Sequence, residues 1–514
     1  MRRHSTGAIP QRGGERVAPL ASLEALTSAE TSKLARAGIG WSAALVVGRY
    51  AISLASSAVL ARCLSPSDFG LLGMVTAFTI LIQVVSDCGL SWATTQCQEL
   101  TRNQVDALFW VNSGIGLALM LMSFMAAPWV ARFYGRVELR RILVEVSFAL
   151  FFTAVGVQPN GLMRRRMQLK AQALCLLYSS LAGSTAAIAA ARLGLGPGAL
   201  VIQLVLGQAV ATALAFRYTG YVPGVPRGVR HVSGLLVFGG YSTGYGVLNY
   251  LARNLDNALI GKYWGATDLG YYSRAYFLMT LPGLVAGGLL AAIVIPMMAA
   301  HRNAPAQLEI IYVRAVRMTA MIGCPLAAGL LAAGPELVRL FYGPRWVAVV
   351  PILAWFSLAC LLQPIHNTAQ WIYLALERGW DMLVLGFIVA SSSAFAFVVG
   401  LPAGPVGVAR AYAIANSLIA LPILFLAHRA AEMDLRKTLL ECLPLVGCSV
   451  GMGAVVWTVG LEAAAAGWGM RARLAIKVVA GVIVYLVALR QISRPAYAEI
   501  LGEWSRFRGY KEAV

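Results

Sequence analysis

Stretches of about 20 apolar residues recur from one end of this 514-residue chain to the other, and each is long enough to cross the roughly 30 Å hydrocarbon core of a bilayer as a helix. Lipid offers the backbone no hydrogen-bond partners, so a crossing segment must satisfy its own amides, which a helix does locally. The period-2 alternation of a membrane β-barrel is absent. A composition of 59% hydrophobic and 12% charged residues, with a mean hydropathy of +0.70, excludes a soluble protein. The chain reads as an all-α membrane protein with about 14 transmembrane helices, near 37–61, 69–90, 107–131, 142–163, 171–191, 198–217, 235–260, 275–299, 310–333, 348–376, 382–400, 404–428, 439–460 and 474–490.

The chain also repeats itself 200 positions apart. Residues 62–70 read Arg62-Cys-Leu-Ser-Pro-Ser-Asp68-Phe-Gly70, and residues 262–270 read Lys262-Tyr-Trp-Gly-Ala-Thr-Asp268-Leu-Gly270. Cation, acid, apolar residue and glycine fall in register, each copy between two apolar stretches. Other landmarks recur in the same order: Pro128-Trp-Val-Ala-Arg132-Phe-Tyr-Gly135 with Pro335-Glu-Leu-Val-Arg339-Leu-Phe-Tyr-Gly343, Gln158-Pro159 with Gln363-Pro364, and Gly196-Pro197 with Gly404-Pro405. Such an ordered set marks an internal duplication. The unit holds six spans, an even number, so both copies point the same way about an axis along the membrane normal.

The implied organisation is a cytoplasmic tail (1–36), an N-lobe of spans 1–6 (37–219), a linker (220–234), a C-lobe of spans 7–12 (235–428), two additional helices (439–490) and a second cytoplasmic tail (491–514). The two six-helix repeats face a central cavity, a natural place for a substrate and a natural hinge for alternating access. No signal-peptide core precedes the first span. Loops on the side of the termini carry about twice as many Lys and Arg as the opposite loops, which places both termini in the cytoplasm. The four arginines within 132–141 run against that rule. The formal charge of +20 therefore reflects loops beside anionic lipid and calls for no nucleic acid.

Polar side chains within spans face protein or water, because lipid penalises them. Ser42, Arg49, Ser53 and Ser56 share one face of the first span; Tyr241, Tyr245, Asn249, Arg253 and Asp256 share one face of the seventh. The two stripes coincide under the repeat, so both are expected to line the central crevice. Arg49 sits near mid-membrane with no acid within a turn; its alternative is a partner on another helix, such as Asp87. Arg253 and Asp256 have the spacing of an ion pair, and Arg274 that of a side chain snorkelling to the interface. The tenth span carries Gln363, His366, Asn367 and Gln370; His366 reads either as a structural hydrogen-bonder or as a titrating group. Pro159 and Pro364 mark matching kinks or hinges.

A cavity biased toward arginine attracts anions, and guanidinium pairs bidentately with phosphate oxygens, so a diphosphate is a good match. The substrate-binding candidates are Arg49, Ser53, Tyr245, Asn249, Arg253, Asp256 and Arg274. Asp87, Asp256 and His366 are the groups available to couple a cation, H+ or Na+; no other cofactor and no metal site is indicated. A Walker A sequence, His-Glu-x-x-His and Gly-x-Ser-x-Gly are all absent, so ATP hydrolysis and the common hydrolase chemistries are excluded. The eight cysteines are scattered with no Cys-x-x-Cys and read as small apolar packing residues.

Several segments are similar to one family. Ala61-Arg62-Cys-Leu-Ser65-Pro66-Ser-Asp68-Phe69-Gly70, Asp87-Cys-Gly89-Leu90 and Phe109-Trp110 resemble the start of bacterial polysaccharide flippases. So do Asn254-Leu-Asp256-Asn-Ala-Leu-Ile260-Gly261, Leu269-Gly270-Tyr271-Tyr272-Ser273-Arg274-Ala275 and Tyr342-Gly343-Pro-Arg-Trp346. This resemblance, to the lipopolysaccharide and exopolysaccharide branch of the multidrug/oligosaccharidyl-lipid/polysaccharide exporters, spans roughly 40–430. It implies a non-enzymatic inner-membrane carrier that moves polyprenyl-diphosphate-linked oligosaccharide by alternating access. Membrane lipids, a polysaccharide polymerase and export machinery would be its partners. Two alternatives stand beside it: a drug or cation exporter of the same superfamily, for which a carboxylate-rich cavity would be expected, and a membrane enzyme that polymerises or ligates lipid-linked glycans.

Overall fold

The structure, a computed structural model, describes residues 28–87, 102–166, 168–224, 250 and 254–492; for 28–44, 46, 80–87, 285, 286, 289 and 292 only the backbone path is described. Among the described residues there is no strand. The helices are α1 (Ser28–Cys63), α2 (Pro66–Asp87), α3 (Arg102–Tyr134), α4 (Glu138–Arg165), α5 (Leu169–Arg192) and α6 (Gly198–Thr219). Then come α7 (254–263), α8 (Gly265–Gly283), a π-turn (Leu284–Gly288), α9 (Leu289–Ala300), α10 (Pro305–Phe341), α11 (Val349–His366), α12 (Ala369–Ala375), α13 (Gly379–Gly400), α14 (Gly404–Ala430), α15 (Leu435–Ala465) and α16 (Met470–Ile492). Among the described residues, nine helical stretches are long and apolar enough to cross a bilayer. The longest, Gly379–Ala430, is a hairpin, because α13 and α14 pack on each other. Described helices fall at all fourteen expected positions, although α7 is only the end of the seventh span.

The duplication governs the packing. Helix α2 packs on α4, α3 on α4, α4 on α6 and α5 on α6; in the second half α8 packs on α11, α10 on α11, α11 on α14 and α13 on α14. These are the same pairs shifted by one repeat. Helices α15 and α16 pair with each other and both lie against α10. A buried lysine, Lys477 of α16, fixes that attachment: its ammonium donates to Glu336 Oε2 (2.8 Å) and to the Ala332 carbonyl (2.9 Å) of α10.

The repeated Tyr-Gly pairs end the third helix of each half. Gly135 (φ 68°) and Gly343 (φ 96°) follow α3 and α10 in left-handed backbone, the conformation that stops a helix and favours glycine. The matched prolines behave differently in the two halves. Helix α4 runs through Pro159 without a break, whereas α11 ends two residues after Pro364 and restarts as α12. A π-turn interrupts the eighth span, a break that hydropathy does not register.

Candidate functional site

The two halves meet along a seam built from the repeated motif itself. Helix α2 lies along α8. A Cβ on Gly70 would collide with the backbone carbonyl of Ala266, and a Cβ on Gly270 would collide with the carbonyl of Pro66. The contact is reciprocal, because 66 and 70 become 266 and 270 under the repeat. Glycine at both places lets two backbones touch, the device that close helix pairs in membranes rely on.

The cations of the motif reach further. Arg62 donates from Nε to the Phe341 carbonyl (3.3 Å) and from Nη2 to the Leu340 carbonyl. Lys262 donates to the Phe133 carbonyl and lies 4.8 Å from the centre of the Phe133 ring. Each thus caps the C-terminal turn of the third helix in the opposite half, where unpaired carbonyls and the helix dipole favour a positive charge. Beside them Trp346 donates from its indole nitrogen to the Ala61 carbonyl (2.8 Å) and meets Phe69 edge-on at 5.3 Å. Leu60, Phe69, Tyr272 and Trp346 belong to one continuous buried core drawn from both halves. Asp68 holds the first turn of α2, accepting from the Ser65 amide and hydroxyl at 2.8 Å each.

Past Gly283 the eighth span turns through the π-turn, and α9 packs on α10 and α12 of its own half. Among the described residues, the seam contacts gather at the end bearing the loops 64–65, 135–137, 264 and 342–348.

The predicted site residues fall in different places. Arg49 and Ser53 are both half-buried on α1, below the seam residues Ser56 and Ser57. The Arg49 guanidinium lies 5.9 Å from the centre of the Tyr50 ring. Ser56 is buried and accepts from Gln203 of α6 (3.2 Å). Tyr245, Asn249 and Arg253 lie outside the described residues, as does the side chain of Asp87. Asp256 is 1% exposed and accepts from the Tyr272 hydroxyl (2.7 Å) and the Asn257 amide (2.8 Å). It ties α7 to α8 from inside the second half, a polar group satisfied by its neighbours. Arg274 does not reach a membrane face. It enters the seam, donates from Nη1 to Ser57 Oγ of α1 (3.0 Å), and stacks its guanidinium 4.5 Å from the Phe69 ring centre and 5.5 Å from that of Phe277. Ring faces and a hydroxyl hold the charge where no carboxylate is described. His366 is buried in the second half, on the wall of a cavity of about 410 Å³.

Residue-type reasoning treated Arg62, Lys262, Gly70 and Gly270 as markers of duplication and missed that they build the seam. Their signal was present: a cation, an acid and a glycine kept in register at both copies while most residues between them changed.

The chain matches the family described as "Polysaccharide biosynthesis protein" over residues 59–351. It is 23% identical to the lipopolysaccharide biosynthesis protein WzxC of Escherichia coli (strain K12), over 82% of this chain and 87% of that protein. Identity is 25% to the teichuronic acid biosynthesis protein TuaB of Bacillus subtilis (strain 168), over 89% and 95%. Among solved structures it resembles the lipid II flippase MurJ in an inward closed conformation (TM-score 0.72, 16% identity, 89% of this chain and 99% of that one). It also resembles an inward-facing multidrug-resistance MATE transporter (TM-score 0.62, 16% identity, 75% and 94%). A multi-pass helical body with this duplicated seam and a family match over more than half its length has one assignment: the chain belongs to the polysaccharide biosynthesis protein family.

Proposed function

We propose that this protein is a carrier that moves polyprenyl-diphosphate-linked oligosaccharide between the leaflets of the bacterial inner membrane for lipopolysaccharide or exopolysaccharide synthesis. The observation that carries the reading is the reciprocal seam. A two-half body clasped at one end by repeat-related contacts can release that end by rocking its halves against each other, because each clasp has its counterpart in the opposite sense. The relatives' names support the class of cargo: WzxC and TuaB are biosynthesis proteins for lipopolysaccharide and teichuronic acid, and a succinoglycan biosynthesis transport protein, ExoT of Rhizobium meliloti (strain 1021), is 23% identical over 65% of this chain.

In this reading both termini are cytoplasmic, so the seam closes the periplasmic end and the cytoplasmic end is open to substrate. The diphosphate is drawn to Arg49 and Arg253, the glycan occupies the polar crevice lined by Ser53, Tyr245 and Asn249, and the lipid tail stays in the bilayer. Asp87, Asp256 and His366 are the groups through which a proton or Na+ would drive the cycle. The protein changes the leaflet and leaves the glycan's covalent structure intact, which separates it from a polymerase or ligase.

A reconstituted leaflet-transfer assay with a defined polyprenyl-diphosphate sugar tests this. Wild-type protein should accelerate transfer, with chain length unchanged. Arg49→Ala and Arg253→Ala should each slow it about tenfold or more, the effect of losing one charge-assisted contact worth about 1.5–3 kcal/mol. Wild-type transfer by the two variants, alone and combined, would remove the arginine site; no transfer by wild-type protein would remove the function.

A further inference from the structure

The second half contains a cavity of about 410 Å³, within the range of about 300–1,000 Å³ typical of small-ligand pockets. It lies between α8 with its π-turn, α11, α12, α13 and α14. Helix α8 forms the seam along one part of its length and walls this cavity along the next, and among the described residues the cavity is lined by the second half alone.

Its chemistry is distinctive. Gln363, Asn367, Gln370 and Asn416 line it, together with the rings of Tyr276, Trp371 and Tyr412. Among the described residues no Asp, Glu, Lys or Arg does. A diphosphate or a bare cation would find no counter-charge here, and burying an uncompensated charge is costly. Side-chain amides each offer both donors and an acceptor, which is what clustered hydroxyl groups require, and aromatic faces cover the apolar C–H face of a sugar ring.

The wall is shaped for an occupant. Gln363 Nε2 donates to the Tyr412 hydroxyl (3.2 Å) and Asn416 Nδ2 donates to the Ala359 carbonyl (3.3 Å), so two amides are held in fixed orientations. His366 is 6% exposed, and its Nδ1 faces the Leu362 backbone one turn back without a well-formed hydrogen bond. At the mouth Asn367 and Gln370 are exposed. Gly283 precedes the π-turn and Gly287 and Gly288 end it, and a Cβ at any of them would meet nothing within 4 Å. The space that side chains would fill is left empty, and π-turns of this kind recur at binding sites.

The geometry points to this cavity as a subsite for one uncharged saccharide ring of the glycan, separate from the arginines that attract the diphosphate. The assignment deepens the carrier reading and rests on it for the identity of the cargo. Charge would then be read in the crevice and sugar identity inside the second half.

The test uses full-length protein in lipid nanodiscs and saturation-transfer difference NMR with a panel of neutral methyl glycosides (glucoside, galactoside, mannoside and rhamnoside). At least one glycoside should receive saturation from wild-type protein. Asn416→Leu and Gln363→Leu should each weaken that binding about fivefold, the loss of one neutral hydrogen bond in a confined site. Gly287→Leu, which fills the space while removing no hydrogen bond, should abolish it, and circular dichroism should show all three variants helical. Absence of saturation for every glycoside, or binding unchanged in Gly287→Leu, overturns the subsite, as does Na+ binding that disappears with Asn416→Leu. The leaflet-transfer assay separates the two proposals. Transfer without glycoside binding removes the subsite and leaves the carrier, whereas glycoside binding without transfer removes the carrier and leaves a saccharide site.

Discussion

Arg62 and Lys262 make the same contact in opposite directions: each extends from its own half to the carbonyls that end the third helix of the other, at Leu340 and Phe341 in one case and Phe133 in the other. Two clasps related by the repeat close one end of the molecule. Opening that end must break both, together with the Gly70–Ala266 and Gly270–Pro66 approaches between them. Hydrogen bonds from a charged donor are worth about 1.5–3 kcal/mol each. Arg62 and Lys262 are exposed, and solvent screening reduces each clasp to about 1 kcal/mol, enough to bias an alternating-access equilibrium about fivefold per clasp and small enough for a cycle to overcome.

Removal of the clasps should therefore shift the population. Arg62→Ala and Lys262→Ala should each raise the fraction of molecules open at this end by about fivefold, and the double variant by about the product. Electron-electron distances between spin labels on the 135–137 and 342–348 loops would read it. An unchanged distance distribution in the double variant would show that the clasps do not set the state.

Gly70→Ala should damage the seam more than Gly73→Ala. The added carbon at Gly70 meets the backbone of Ala266, which cannot step aside, whereas at Gly73 it meets the Leu269 side chain at 3.2 Å, which can rotate. Thermal unfolding of purified protein should be lowered by Gly70→Ala and by Gly270→Ala, and much less by Gly73→Ala. Equal effects at the three positions would contradict the backbone contact.

Arg274 has no arginine counterpart, because the repeat places Met74 at the equivalent position, fully buried in the first half. Exchanging a buried charge for a well-packed apolar side chain is often neutral or stabilising. Arg274→Met should thus keep or raise the melting temperature while slowing leaflet transfer. A marked drop in stability with normal transfer would make Arg274 a purely structural residue.

The buried pair Lys477–Glu336, with side chains 5% and 10% exposed, should be costly to break from one side. Lys477→Met leaves a carboxylate stranded in α10 and should destabilise the protein by about 3–5 kcal/mol. Lys477→Met with Glu336→Leu should recover most of it. Guanidinium-free thermal scans in one detergent give the comparison, and a double variant as unstable as the single one would refute the pairing.

Glu309 and Lys437 precede the apolar spans of α10 and α15 and join those helices at 2.6 Å, with Glu309 also accepting from the Asp434 amide (2.8 Å). The Lys437 hydrogen bond holds the Glu309 carboxyl below the usual carboxylate range, and Glu309 in turn raises the Lys437 ammonium. A depressed carboxyl contributes its stability above its unfolded pKa and loses it as pH falls through the folded value. A raised ammonium contributes below its unfolded pKa and loses it as pH rises through the folded one. The stability gap between wild type and Glu309→Gln should hence be flat from about pH 5 to 8 and close below about pH 4. A gap that grew in acid would have the wrong sign.

How much of this was legible beforehand differs element by element. The spans were readable because lipid enforces helices on any apolar stretch of sufficient length, and the duplication was readable because Arg62-to-Gly70 and Lys262-to-Gly270 keep their spacing. Asp256 was readable as polar and intramembrane, but its alternatives, an ion pair with Arg253 or a place on the crevice wall, do not include the contact it makes. Its partner Tyr272 lies sixteen residues away, on the next helix. The same holds for Arg274, whose Ser57 acceptor is in the other half. The glutamine-to-histidine stripe at 363–370 was visible, yet a stripe says only that a face is polar; the π-turn and its empty glycines, which turn that face into a cavity, depend on how α8 passes the second half.

The amino-acid order alone determined the element type, the number of crossings and the two-fold plan, since each follows from local hydrogen-bonding needs in lipid and from repeated spacing along the chain. Which end of the body is closed, which charges are clasped across the halves and where a polar face becomes enclosed were decided only in three dimensions. Those depend on contacts between residues 129 to 279 positions apart, and no local pattern encodes the partner of a side chain that crosses from one half to the other.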